Sequence, residues 1–262
     1  MICIFDCETI PDVELVKKEY KIDGSDLEVI NQAFEIQKEK SGNSFLPIAF
    51  HRVVTISAVI TDNDFNFLKV GSFPKDLTDT EEVDILKNFL GFVDSKKPKL
   101  VSFNGNGFDI PMLFLRGMKY NLSCKAFFNS DKWEGYRSRY SEKKNLDLLN
   151  SLAHFGAVRG LKLDTVCSMS GIPGKFDVSG NQVHELFYED KLNEIIDYCE
   201  SDVLNTYWVM LKYEILKGNL NLVNYKIILD GFLEKLPKNK NYSEIFTNFL
   251  NNEIKNLKAT NS

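Results

Sequence analysis

The order of apolar periodicities along the chain limits its fold more than any other feature. Strand-like runs crowd into the first part: ICIF at the amino end, then HRVVTISAVITD and FNFLKVGSF. The last two meet through Asn63 and Asp64 and read as a hairpin lying next to the first strand. Thr80 to Val93 then carries Val83, Leu86, Phe89 and Leu90 as a helical stripe, and KLVSF after Pro98 reads as a fourth strand. Helical candidates follow at Pro111 to Tyr120, Asn145 to Phe155, Leu161 to Ser170, Asp190 to Leu216, Leu220 to Leu236 and Ser243 to Leu257. A loop rich in Gly and Pro spans Gly171 to Gly180. Pro11 to Ala49 is polar and charged, with Leu27, Ile30 and Phe34 at helical spacing, and reads as a helical insertion. This order predicts an α/β domain over residues 1–217, with an insertion at 11–49, and a C-terminal helical extension over 218–262.

Composition supports one large core, since the 262 residues are 44% hydrophobic. No stretch approaches the roughly 20 apolar residues of a membrane span, and MICIFDCETI lacks a basic leader region and a cleavage site. A soluble, cytoplasmic protein without membrane association is therefore expected. The five cysteines form an odd set without a CxxC pair, so they read as reduced thiols rather than disulfides or a zinc clip. His51, His154 and His184 are scattered singly and read as structural. A net charge of −5 argues only weakly against a polyanionic partner. A protein that grips nucleic acid through metal ions must itself supply carboxylates.

Three acidic elements stand out. In FDCET, strand alternation points Asp6 and Glu8 the same way at the end of a buried run. The same Asp-x-Glu spacing recurs at Asp12 and Glu14 and at Asp26 and Glu28, but there it lies in polar, helical sequence. Hard divalent cations prefer oxygen ligands, and a pair of them needs carboxylates set close together. The second element, Phe103-Asn104-Gly105-Asn106-Gly107-Phe108-Asp109, turns the fourth strand into a helix through glycines, with Asp109 either capping that helix or reaching a metal. The third is Tyr198-Cys199-Glu200-Ser201-Asp202, where a spacing of four puts the phenol and the Asp202 carboxylate on one helical face. Of the ten tyrosines, only Tyr198 has an acid four residues on.

Taken in order, Asp-x-Glu, Asn-x-x-x-Phe-Asp and Tyr-x-x-x-Asp resemble the three motifs of DEDDy 3′→5′ exonucleases. The similarity is greatest to the proofreading domains of family-B DNA polymerases and their stand-alone bacterial relatives, and it runs from Met1 to about Leu216. The stretch LKLDTVCSMSGIPGKFDVSG looks like the family's segment between its second and third motifs. The resemblance implies a ribonuclease H-like fold, a mixed sheet flanked by helices. It implies two Mg²⁺ or Mn²⁺ ions held by Asp6, Glu8, Asp109 and Asp202, with Asp6 bridging both, Glu8 and Asp202 completing the first site and Asp109 holding the second partly through water. Tyr198 would orient the attacking water. The histidine of the related DEDDh class would fall at Asp197, which favours the tyrosine subclass. No polymerase domain is expected, because few residues follow the third motif. The insertion after the first motif departs from the pattern.

The substrate expected on this basis is the single-stranded 3′ end of DNA, with RNA 3′ ends as the alternative and a non-cleaving nucleic-acid-binding module as the rival of another class. Candidate substrate contacts are Asn104 for the sugar-phosphate, Phe108 for stacking, Thr9, and Lys175 for a phosphate. The insertion reads either as a lid over the cleft or as a solvated lobe. The lysines of KLPKNKNYSEI with Lys255 and Lys258 read as a solvated helical surface.

Overall fold

Alternation along the first strand divides the protein into two cores. A computed structural model describes residues 1–74, 80–129, 134–174 and 180–260. In β1 (Ile2–Pro11), Ile2 and Ile4 face one core while Cys3, Phe5 and Cys7 face the other. The strand is longer than its apolar run suggested, continuing through the acidic residues to Pro11. It can do so because β2 (His51–Thr61) pairs antiparallel along its whole length, with a register shift between Glu8 and Thr9. β2 turns at Asn63 and Asp64 into β3 (Phe67–Phe73), which gives the expected hairpin. β4 (Lys99–Ser102) lies parallel on the other side of β1, and β5 (Asn145–Asp147) parallel beyond it. The sheet order is β3-β2-β1-β4-β5, a mixed sheet with covered faces.

The fifth strand corrects the sequence reading, which made Asn145 to Phe155 a single helix. Three residues are too few to show a period of two, and their extended form comes from pairing with Leu100, Val101 and Ser102 of β4. Only then does a short helix α5 (Leu148–Leu152) start, capped by Asp147 through the Asn150 amide.

The insertion forms two helices, α1 (Val13–Tyr20) and α2 (Asp26–Ser41), each with start signals in the sequence. Asp12 caps α1, and Ser25 with Glu28 makes a capping box for α2. They share a small core of Val13, Val16, Val29, Ile30, Ala33 and Leu46. α3 (Glu82–Lys96) and α4 (Asp109–Lys119) cover the Phe5 face of the sheet. A buried ion network ties these elements together: Arg116 on α4 donates to Asp12 at 2.6 Å and to Glu82 at 2.7 Å. Glu82 also accepts from the Val53 amide at 2.8 Å and from the Tyr120 hydroxyl at 2.8 Å.

The Ile4 face is covered by α6 (Leu163–Ser170) and by α8 (Leu192–Leu216), the longest helix. A short α7 (Val183–Tyr188) precedes α8. Between Tyr198 and Leu211, α8 is buried on all sides, because α9 (Leu222–Lys235) and α10 (Ser243–Thr260) pack over its back. Trp208 is the hub of that packing, its ring 5.0 Å from Phe232 and 5.3 Å from Phe249. Such pairs each add about 0.5–1.5 kcal/mol beyond the area they bury. The C-terminal helices therefore press α8 onto the sheet, which fixes the depth at which its polar residues meet β1. No helix among the described residues is long and apolar enough to cross a membrane.

Candidate active site

The acidic residues of β1 extend the face that carries Ile2 and Ile4, so they meet α8. Cys199 marks the crossing, its thiol 3.5 Å from the Asp6 carbonyl oxygen. Oxygens of Asp6 and Glu8 and the Cys199 sulfur lie within 4.8 Å of one another. One turn along the helix, the Tyr198 hydroxyl donates to the Asp202 carboxylate. Burial first, and then the charges of Asp202, Glu8 and Asp6, push the Tyr198 phenol far above its ordinary pKa. The phenol stays protonated and acts as a hydrogen-bond donor, not as a base. Asp6 and Asp202 line one cavity with Asn104, while Glu8 and Thr9 line a second with Phe108. Asp6, Glu8, Tyr198 and Asp202 thus come together.

Asp109 meets β1 at Cys7, whose side chain alternates to the other face of the strand from Asp6 and Glu8. β4 ends at Ser102, opposite the early part of β1, so among the described residues the strand edge near Cys7 has no partner strand on that side. The Asp109 carboxylate fills the place, accepting from the Cys7 thiol and from backbone amides of Asp109 and Cys7. It is only 3% exposed, and its Oδ1 has no hydrogen-bond partner. Burial is the main reason its pKa is raised to about 7.

The turn that delivers Asp109 is clamped by a residue the sequence reading did not single out. Asp147 of β5 accepts from the amides of Asn104 and Asn106, each at 3.0 Å. Gly105 is required here, since an added Cβ would come 2.2 Å from the Ser102 hydroxyl. Asn104 takes a left-handed conformation with φ 76°, which asparagine tolerates. Cys199 was also overlooked, read only as one of five reduced thiols. All five cysteines are buried without disulfides, but only Cys199 joins the Asp6 and Glu8 group among the described residues. Its thiol is pushed far up, first by burial and then by the charges of Asp6 and Glu8, so it stays neutral.

Of the expected substrate contacts, Thr9 bonds His51, its hydroxyl 3.0 Å from Nδ1. Phe108 and Asn104 reach the two cavities, and Lys175 lies outside the described residues.

The donor set suits hard divalent cations. Carboxylate oxygens predominate, Asp6 and Glu8 are close enough to share an ion, and Asp109 keeps an oxygen buried without a partner. Its titration gives a test. An acid at about 7 when folded, against an ordinary 3.8, favours the protonated native state. Its contribution to stability is fully present below pH 3.8 and is lost as pH rises through about 7. A cation that replaces the proton should offset this loss, so Mn²⁺ should raise the melting temperature more at pH 8 than at pH 5.5. Equal shifts in a thermal melt at the two pH values would contradict a cation role for Asp109.

A five-stranded mixed sheet in this order, with acids on its first strand facing a buried helix, defines the ribonuclease H-like α/β class. The chain belongs to the family described as "Predicted 3'-5' exonuclease related to the exonuclease domain of PolB", whose profile it matches over residues 43–253. It is thus an enzyme of the 3′→5′ exonuclease class. The matched span takes in Asn104, Phe108, Asp109, Tyr198 and Asp202 but leaves out Asp6 and Glu8. Among solved structures, the chain is similar in fold to the family B DNA polymerase from the hyperthermophilic archaeon Pyrobaculum calidifontis. The TM-score is 0.50 at 17% identity, and the similarity covers 90% of this chain and 26% of that one. No curated protein matches.

Proposed function

We propose that the protein removes nucleotides one at a time from the 3′ end of single-stranded DNA, releasing 5′-mononucleotides. The observation that carries this reading is the meeting of Asp6, Glu8, Tyr198 and Asp202 where β1 crosses α8, with a cavity on either side. Asp6, Glu8, Asp109 and Asp202 would hold two divalent cations, Mg²⁺ or Mn²⁺. When bound, the cations supply Lewis acidity, making water more acidic and offsetting charge on the phosphate. Tyr198, whose one proton is given to the Asp202 carboxylate, would orient the attacking water by accepting from it at the phenol oxygen. Asn104, which lines a cavity with Asp6 and Asp202, would bond the sugar-phosphate of the strand.

The acids also account for the cation requirement. Unit charges about 4 Å apart repel by roughly 4 kcal/mol at an effective dielectric of about 20. Without counter-ions the cluster would repel both itself and a phosphodiester. The test is degradation of matched DNA and RNA strands labelled at either end, with Mn²⁺ or with chelator. A ladder shortening from the 3′ end of DNA, dependent on the cation, is the expected result. Intact strands in every condition would end the proposal, and faster RNA loss would reassign the substrate.

A further inference from the structure

The second cavity is given no particular occupant by the chemistry above. It holds about 400 Å³, opens beside Glu8 and Thr9, and is walled by Phe34, Phe45, His51 and Phe108 among others. Phe34 and Phe45 come from the insertion, one on α2 and the other just after it. The Phe45 ring lies 5.5 Å from Phe108 and 4.8 Å from His51, and Phe108 meets His51 edge to face at 5.3 Å. Although it is part of this cluster, Phe45 remains 51% exposed.

The segment that carries Phe45 is tied to the strand that carries Glu8. One ring nitrogen of His51 is 3.0 Å from the Thr9 hydroxyl and the other is 3.1 Å from the Leu46 carbonyl oxygen. Burial lowers the His51 pKa, so the ring is neutral, with Nε2–H donating to Leu46 and Nδ1 accepting from Thr9. The Phe45 amide also donates to Asn43 Oδ1 at 3.0 Å. A half-exposed ring is thus anchored in the wall of the cavity beside Glu8.

We infer that Phe45 is a specificity-determining residue, whose ring stacks on the base of the 3′-terminal nucleotide while its phosphate lies toward Asp6 and Glu8. This rests on the reading of the chain as a 3′-end nuclease. The cavity falls within the roughly 300–1,000 Å³ of small-ligand sites, room for one nucleoside. Stacking on an aromatic face tolerates every base, as a non-selective exonuclease requires. The insertion is then the part of the protein that demands an unpaired end, because a base stacked on Phe45 within this cavity has left its Watson–Crick partner.

The experiment compares a single strand ending in a normal nucleotide with one whose terminal sugar lacks its base. Wild type should prefer the normal end about tenfold, the scale of one base stacked on an aromatic ring. Phe45→Ala should remove that preference, raising KM about tenfold for the normal strand, while Phe45→Tyr should retain it. Binding of deoxyadenosine 5′-monophosphate with Mn²⁺, measured by calorimetry, should weaken in Phe45→Ala by a similar factor. Because Phe45 is half exposed, an unchanged melting temperature is expected and is checked alongside. If Phe45→Ala keeps both the KM and the preference, the role of Phe45 falls and the nuclease reading stands. If wild type degrades neither strand, both fall.

Discussion

Asp202→Ala is expected to reduce 3′-end degradation by about 10³-fold or more, the scale of losing one member of a catalytic unit, without unfolding the protein. Asp202 lies on the buried stretch of α8, facing Asp6 and Glu8 across the crossing with β1, and accepts the Tyr198 hydroxyl. On the proposed reading, removing its carboxylate deletes a cation ligand and takes the acceptor from the phenol that would orient water. The fold should tolerate the change because a buried acid among other acids opposes folding when no cation is bound. The expected signature is therefore a melting temperature at or above that of wild type without cations, combined with a smaller rise on adding Mn²⁺. Turnover near the wild-type rate would remove Asp202 from the chemistry. A collapsed melting temperature would mean its role is structural.

Arg116→Ala should have the largest effect on stability, a loss of about 3–5 kcal/mol, as found when one partner of a buried ion pair is removed. At roughly 2–4 °C per kcal/mol for a chain of this size, the melting temperature should fall by about 10 °C. Arg116 is 3% exposed and serves two acids that are themselves buried, Asp12 and Glu82. Burial works to raise the Asp12 pKa, but hydrogen bonds from Arg116 and Lys119 outweigh it and hold the carboxyl below its usual range. Alanine would leave both acids facing a void. Lysine should recover little, since one ammonium cannot reproduce the planar fork that reaches Asp12 and Glu82 together. Because Asp12 joins β1 to the insertion, limited proteolysis should cut first within residues 12–50 of the variant. A melting temperature within a degree or two of wild type would show that the network carries little stability.

On the proposed reading, the insertion bears on how the site works as much as on how the chain holds together. Its polar sequence left open whether it is a lid or a solvated lobe. Two contacts between distant residues tie it to the rest of the fold: His51 joins Leu46 to Thr9, and Arg116 joins Asp12 to Glu82. The first holds the segment after α2 against the strand that carries Glu8, and the second holds the start of α1 against α3 and α4.

Local rules were enough to find much of the candidate site. Strand alternation put Asp6 and Glu8 on one face, a helical spacing of four paired Tyr198 with Asp202, and glycines marked the turn before Asp109. Each of these depends on residues no more than a few positions apart, so the sequence states it directly. The neighbours of Asp6 in space lie far away in the chain, and only the packing of α8 under α9 and α10 decided that Cys199 and Asp202 would meet it. β5 and its Asp147 were invisible for the same reason, since a three-residue strand exists only through its partner β4. Asp109 too was placed by tertiary structure, at the strand edge that β4 leaves open. Sequence determined which side chains share a face of their own element; burial and strand pairing across long loops decided which faces meet, because those energies are gained only when distant segments are brought together.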